Sequence, residues 1–286
     1  MSSLVVADVV TLLDERYPAG WADDWDRVGL AIGEPSAPVH RVLFVIDCVA
    51  ETVAEAIAVG ADLIVAHHPL LLRGVSSVAT TTYKGRAVHG LIKHDIALYV
   101  AHTNADQASP GVSDALAHRL GLLDLRPLRP SRRPGVTDDR LGSGRVGRLP
   151  APVSLAAFAA HAADVLPPTA GGIRVAGDSG RVVTTVAVCG GAGDTYLADA
   201  TAAGVDAYLT ADLRHHPASE HLANGGPALI DAAHWATERP WLDDVATIVR
   251  RDTGLATIVS NVDTDPWSVH LAGAGSVGVD TKEPRE

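Results

Sequence analysis

The chain has 286 residues, with 23 Lys and Arg against 34 Asp and Glu, a formal charge of −11. An acidic surplus with no basic run excludes nucleic-acid binding through phosphate electrostatics and makes an anionic membrane surface a poor partner. With 47% hydrophobic residues the chain can bury ample core, and its length suits one large domain or two ordinary ones. No apolar stretch reaches the roughly 18 residues of a membrane helix, and the start MSSLVVADVV has no basic flank, so the expected location is the cytoplasm. Only Cys48 and Cys189 are present, far apart in apolar runs. Neither a disulfide framework nor a thiolate zinc site is therefore expected. Any bound metal must be held by His, Asp and Glu, and the chain has 13 histidines.

Residues 4–16 (LVVADVVTLLDER) place apolar residues at helical spacing and end at Tyr17-Pro18, which predicts an amphipathic first helix. Arg41 to Ile46 reads as a buried strand, Ala50 to Val59 as a helix capped by Gly60, and Ala61 to Ala66 as a second strand. Strand, helix and strand within about thirty residues predict a βαβ unit with a parallel sheet. The second strand stops at His67-His68-Pro69. A third, Ala97 to Ala101, stops at His102-Thr103-Asn104-Ala105-Asp106, and residues 111–120 predict another helix. Arg126 to Pro152, rich in Arg, Pro and Gly, is expected to be the domain junction.

The second half repeats the first. Val182 to Cys189, Asp194 to Ala203 closed by Gly204, and Asp206 to Thr210 read as strand, helix and strand. One constant displacement sets Gly60 on Gly204, Asp62 on Asp206 and Ala54 on Ala198. At a shorter offset ALYVAHTNAD (97–106) lies over LIDAAHWATE (229–238), setting His102 on His234 and Asp106 on Glu238. Two related α/β units are therefore expected, each placing His-x-x-x-acid just after a strand. Trp241 to Glu286 holds another helix and the strand ATIVSN (256–261), assigned to the first unit. The domain division is then 1–127 with 240–286, and 128–239. The last dozen residues are expected to form a loose polar tail.

The histidines at strand ends are the candidate chemistry: His67, His68, His102, His215, His216 and His234 lie where open α/β sheets bind ligands. Imidazole and carboxylate without thiolate suit Zn, Fe, Mn, Ni or Co. Adjacent residues on a regular strand point to opposite faces, so His67 and His68 can share a cavity only if the backbone leaves strand geometry there. Two neighbouring metal ions could then take one imidazole each. His234 and Glu238, four residues apart, share one side of a helix. His67, His68, His234, Asp106 and Glu238 make five ligands, too few for two closed tetrahedral sites. Positions bridged by carboxylate or open to water are implied, and open positions are those of a catalytic metal.

Gly142-Ser-Gly144-Arg-Val-Gly147 satisfies G-x-G-x-x-G but lacks a preceding buried strand, so it fails as a dinucleotide fingerprint. Gly190-Gly191-Ala192-Gly193-Asp194, between strand and helix, reads equally as a phosphate cradle or as a tight turn beside the metal cleft. Asp47, at the matching strand end of the first unit, is a candidate cleft acid.

Together WDRVGLAIG (25–33), GADLIVAHHPLL (60–71), AHTNAD (101–106), GRVGRL (144–149), VCGGAGD (188–194), YLTADLRHH (208–216) and DAAHWATERP (231–240) resemble the GTP cyclohydrolase type 2 homologues, also described as NGG-interacting-factor-three-like proteins. The resemblance runs in order from about residue 5 to 266. It implies two similar α/β domains, a dinuclear metal site in the cleft between them, and a hexameric toroid. It puts the ligands on His67, His68, Asp106, His234 and Glu238. This chain is too short for the extra domain that some members insert between the halves. Arg27 stands where the family often has Asn, and Ala211-Asp212 where it often has Gly-Glu. The implied activity is a metal-dependent hydrolase that opens the purine ring of a nucleotide, with His102, His215 or His216 handling protons or orienting a small-molecule ligand. The alternatives are a nucleotide or phosphoester hydrolase and a non-catalytic metal-binding regulator or scaffold.

Overall fold

The computed structural model describes residues 4–133 and 137–271. The tail expected over the last dozen residues lies outside them. The first half runs α1 (Val6–Arg16), β1 (Gly29–Ile32), β2 (Arg41–Val45), α2 (Ala50–Val59), β3 (Leu63–Ala66), α3 (Tyr83–Lys93), β4 (Ala97–Val100), α4 (Thr103–Gln107) and α5 (Val112–Arg119). The second runs β5 (Leu123–Pro130), β6 (Gly142–Ser154), α6 (Leu155–Val165), β7 (Arg174–Ala176), β8 (Val182–Ala192), α7 (Leu197–Ala203), β9 (Ala207–Ala211), α8 (His215–Ala223) and β10 (Ala228–Ala232). A long helix α9 (His234–Thr253) and the strand β11 (Ala256–Val259) complete it.

Two mixed sheets result, ordered β1-β4-β3-β2-β11 and β5-β6-β8-β9-β10-β7. Each contains three adjacent parallel strands, β2-β3-β4 and β8-β9-β10, with an antiparallel strand, β1 or β7, on the outside of the third. The duplication extends to detail. Gly60 and Gly204 close α2 and α7 in the left-handed region, at φ 62° and 67°. Asp62 accepts the backbone N–H groups of His40 and Arg41, while Asp206 accepts those of Thr184 and Thr185. Val42 pairs with Leu63 as Val186 pairs with Ala207. In the third strands the backbone equivalence is Ala97 with Ala228, both donating to the carbonyl of the duplicated Asp. The sequence match through His102 and His234 sets Ala97 one residue later. The turn before His234 is one residue longer, which an alignment anchored on the histidines absorbs silently.

The first sheet is covered on both faces, which is why its parallel strands read as unbroken apolar runs. Val42, Phe44, Leu63 and Val65 face α1 and α9, while Leu43, Val45, Ile64 and Leu98 face α2 and α3. The helix α9 begins at the end of β10 in the second sheet, yet buries Trp241, Leu242, Val245 and Val249 with Val6, Val9 and Leu13 of α1. Trp241 Nε1 donates to the Tyr17 hydroxyl at 3.1 Å. After Gly254, β11 pairs in parallel with β2.

Of the expected junction 126–152, residues 126–130 and 142–152 instead form most of the antiparallel β5–β6 pair in the second sheet. Their glycines serve close approach. A Cβ on Gly142 would lie 2.3 Å from the Arg129 carbonyl oxygen, and one on Gly144, at φ +62°, 2.9 Å from that of Val188. The G-x-G-x-x-G match is thus sheet packing, as its context indicated. Expected elements also shift at their ends: the helix after Asp194 opens with a 3-10 turn before α7, and α3, α6, α8, β1 and β7 have no counterpart in the sequence reading.

Candidate metal centre

Six side chains converge between the C-terminal ends of the two sheets. His67 and His68 follow directly on β3, and the chain leaves strand geometry after Ala66, so both imidazoles turn the same way. His68 Nε2 lies 3.1 Å from Glu238 Oε2, and His67 Nε2 lies 3.4 Å from Glu238 Oε1. His102 is the N-cap residue of α4 and brings Asp106 along, one turn later. His234 opens α9 and sits 3.0 Å from Glu238 Oε1 across its first turn. Asp106 Oδ1 is 3.8 Å from His67 Nε2. The ligand atoms of His67, His68 and His102 lie within 4.8 Å of one another, as do those of His68, His234 and Glu238.

Every imidazole is held from behind through Nδ1. His67 meets the Ala101 carbonyl at 2.9 Å, His68 meets Asp47 Oδ1 at 2.8 Å, His102 meets Asp26 Oδ1 at 2.9 Å and His234 meets Asp212 Oδ2 at 2.7 Å. Since all four partners are acceptors, each Nδ1 carries the proton and donates. The Nε2 atoms of neutral rings are then acceptors facing carboxylate oxygens that are also acceptors. Such a cluster holds together only with positive charge inside it, as protons or as metal ions. His67 Nε2 and Asp106 Oδ1 are buried without a hydrogen-bond partner, and buried Glu238 Oε2 has only His68 Nε2 nearby, itself an acceptor in a neutral ring. This donor set could hold a metal, and its orphaned atoms are those a cation would satisfy.

In the metal-free protein, protons take that role. Burial alone would lower His68 and His234, but Glu238 beside them and Asp47 or Asp212 behind them push His68 up to about 10 and His234 up to about 11. Burial would likewise raise Glu238, yet the imidazoles of His234, His68 and His67 hold it well below its usual range. Asp106 lacks such close partners, and burial pushes it up to about 7. Behind the cluster, burial would raise Asp26, but the His102 and Thr103 hydrogen bonds outweigh it and hold the carboxyl far below its usual value.

The fold brings together the five expected ligands, and His102 joins His67 and His68 as a sixth possible donor. His215 and His216 do not join them. They stand exposed on the first turn of α8, edge to face with each other, and the described contacts link neither to the cluster. The reason is local: α8 begins several residues after β9, whereas His102 and His234 start their helices at the strand end.

Of the supporting acids, Asp47 stands where the sequence predicts a cleft acid, whereas Asp26 and Asp212 carry no such signal. Asp212 occupies the position that the internal repeat matches to His68, so one unit supplies a donor where the other supplies a donor's support. It adopts φ 58°, a conformation Asp tolerates better than most residues, with its carboxylate on His234. Asp26 lies in the WDRVGL stretch, distant in sequence, and also takes the Thr103 N–H at 3.0 Å and the Thr103 hydroxyl at 2.5 Å. The preceding Trp25 is 55% exposed and lies edge-on to the His102 ring.

The glycine run Gly190-Gly191-Ala192-Gly193 is clearance around this cluster. The N–H groups of its three glycines are engaged within the protein: Gly190 on Ser113 Oγ, Gly191 on Thr237 Oγ1 and Gly193 on the Ala211 carbonyl. The glycines therefore serve the tight turn beside the cleft and do not themselves cradle a phosphate. At Gly191, φ is +68° and a Cβ would lie 2.4 Å from Glu238 Oε1 and 3.0 Å from His234 Nε2. Gly191→Ala is expected to leave the fold intact but to weaken metal binding roughly tenfold or more by pushing these two donors aside. Metal titration of the metal-free variant checks this, and wild-type affinity would refute it.

A cavity of about 650 Å³ adjoins the cluster, bordered by Asp47, His68, Asp212 and His234 and, across from them, by Thr264 and Trp267. Among the described residues no helix is long and apolar enough to cross a membrane.

Comparison with known proteins gives a consistent answer. The model of the family described as Duf34/NIF3 (NGG1p interacting factor 3) matches residues 4–266. A Streptomyces coelicolor protein named "GTP cyclohydrolase 1 type 2 homolog" is 54% identical over 276 residues, covering 94% of this chain and 95% of the relative. The crystal structure of a Bacillus cereus protein related to NIF3 superposes with a TM-score of 0.86 at 25% identity, covering 93% of this chain and 99% of that one. The Staphylococcus aureus hypothetical protein SA1388 gives 0.85 at 28% identity, covering 94% of this chain and all of that chain.

Proposed function

We propose, since the chain belongs to the Duf34/NIF3 (NGG1p interacting factor 3) family, that it is a cytoplasmic dinuclear metal-dependent hydrolase opening the ring of a purine nucleotide. The observation that carries this reading is the pair of overlapping donor groups sharing His68, with buried, unpartnered ligand atoms between them. His67, His68, Asp106, His234 and Glu238 would hold two divalent ions, and the donor types leave Zn, Fe, Mn, Ni and Co open. Bound there, such ions would supply Lewis acidity to a substrate oxygen and ease ionisation of a water.

The chain's own residues do the rest. Asp47, Asp212 and the Ala101 carbonyl fix the tautomers of three ligand imidazoles, so the donor atoms need no reorganisation. His102 borders the same cluster, and Asp26 holds its Nδ1–H, so its Nε2, where no ion takes it, would accept or return a proton at the substrate. Glu238, between His67, His68 and His234, would be shared between the ions, with Asp106 as the alternative carboxylate. The name of the Streptomyces relative supports a guanine nucleotide as substrate.

The deciding experiment incubates protein loaded with each candidate metal with GTP and follows formate and a dihydroneopterin-type product. Their appearance, lost in His67→Ala, is expected. Phosphate release from a nucleotide panel instead would move the reading to a phosphoester hydrolase. Inactivity of fully metallated protein on both would favour a metal-binding regulator. For assembly we propose a homohexamer, which light scattering of the purified protein tests directly.

A further inference from the structure

The segment after β11 returns across the cavity beside the donor cluster. Ser260 Oγ donates to Glu55 Oε2 at 2.5 Å, and Arg239 holds the Ser260 carbonyl and the Asn261 side chain. Thr264 Oγ1 donates to Asp47 Oδ2 at 2.5 Å, and Asp47 holds His68. The segment is thus tied, through one carboxylate, to a residue of the donor cluster. Asp265 Oδ1 accepts the Trp267 N–H at 3.0 Å, fixing the turn that carries the indole. Two features have no partner among the described residues. Asp265 Oδ2 is buried with no hydrogen-bond partner, and Trp267 lines the cavity with 70% of its surface exposed.

An unpaired carboxylate oxygen is costly unless a donor reaches it, and an exposed indole offers a flat apolar face. Resting on the hydrolase reading above, we infer that Asp265 and Trp267 recognise the heterocycle of the substrate: a planar ring with a ring N–H beside an exocyclic amino group, the edge shared by guanine and pterins. Trp267 stacks on the ring, and Asp265 accepts from that pair of donors. The cavity's volume of about 650 Å³ suits a ligand of nucleotide size. Neither residue belongs to the donor cluster, so both can be changed with the metal in place.

The test measures binding of guanosine, inosine, adenosine and neopterin to the metal-loaded protein by calorimetry. Wild-type protein is expected to bind guanosine and neopterin about tenfold or more tighter than adenosine, with inosine between. Trp267→Ala should weaken all four about tenfold, and Trp267→Phe should restore much of that. Asp265→Asn should erase the preference for guanosine over adenosine, with metal content and melting temperature unchanged. Wild-type protein that binds none of the four, or variants that keep its affinities and preference, would overturn the inference. Failure of the hydrolase reading looks different: discrimination that depends on Asp265, without turnover of any nucleotide, removes catalysis and leaves recognition standing. Turnover with recognition indifferent to both residues does the reverse.

Discussion

Replacing Glu238 with glutamine is expected to cost the protein most of its bound metal and to change how its stability depends on pH. Glu238 is almost fully buried and faces His67, His68 and His234, and among the described residues no other carboxylate comes as close to three imidazoles. The amide keeps the volume but loses the charge, and turns donors towards atoms that must bind a cation. If Glu238 is a ligand as proposed, its removal should weaken metal binding by well over the roughly tenfold to hundredfold loss typical of an outer-shell change. In wild-type protein, metal at about a hundred times its dissociation constant adds about 2.7 kcal/mol to stability. Chelation or the substitution should remove that increment.

The pH dependence has a definite sign. In metal-free wild-type protein His68 and His234 have raised values, about 10 and about 11. Their stabilisation is therefore complete below the ordinary value of 6.5 and declines as pH rises towards those values. Glu238 is lowered, so its contribution is present above its ordinary 4.5 and fails at lower pH. Metal-free protein should be most stable between those two ordinary values and should soften in alkali. Metal competes with the imidazole protons, so its affinity, and the gap in melting temperature between loaded and stripped protein, should widen as pH rises. Glu238→Gln removes the main charge that raises both histidines and should flatten the alkaline decline. Elemental analysis and thermal scans across this range decide it. A variant with wild-type metal content, or a gap that narrows with rising pH, would sink the proposal.

The second large effect concerns the joint between the halves. Arg145, on β6, is 1% exposed and binds Asp114 of α5 through Nε at 2.8 Å. Nη2 also lies 2.6 Å from Asp114 Oδ2, and Nη1 and Nη2 serve the carbonyls of Gly142, Gly144 and Ala108. Asp114 also caps Gly111 at 2.8 Å. One guanidinium thus ties the second sheet to the segment following Asp106. Arg145→Met should destabilise the protein by about 3–5 kcal/mol, because it strands a buried carboxylate and three carbonyls. For a chain of this size that is on the order of 10 °C in melting temperature. Adding Asp114→Leu should recover much of the loss, since pairing a charge matters more than having one. Urea unfolding of both variants is the check, and a single variant within 1 kcal/mol of wild type would contradict it.

The donors were legible because their spacing is local: His67-His68 ends one strand, and His-x-x-x-acid follows two others. Periodicity marked the parallel strands, since burial on both faces leaves unbroken apolar runs. The antiparallel pair β5–β6 hid behind Pro, Arg and Gly, which signal turns in isolation but here accommodate register shifts and close backbones. His215 and His216 had the same residue types in the same kind of place, yet the start of α8 carries them to the surface.

Sequence alone determined the duplicated α/β framework, the scarcity of cysteine and the five residues proposed as metal ligands, because each depends on residue type and short-range period. Tertiary structure decided the rest. It set His102 beside His67 and His68, put Asp26, Asp47 and Asp212 behind three imidazoles, made Gly191 a clearance, and folded Thr264 to Trp267 over the cavity. Those relations join residues far apart in the chain. They follow from how two sheets and α9 pack together, and packing fixes distances that no local pattern encodes.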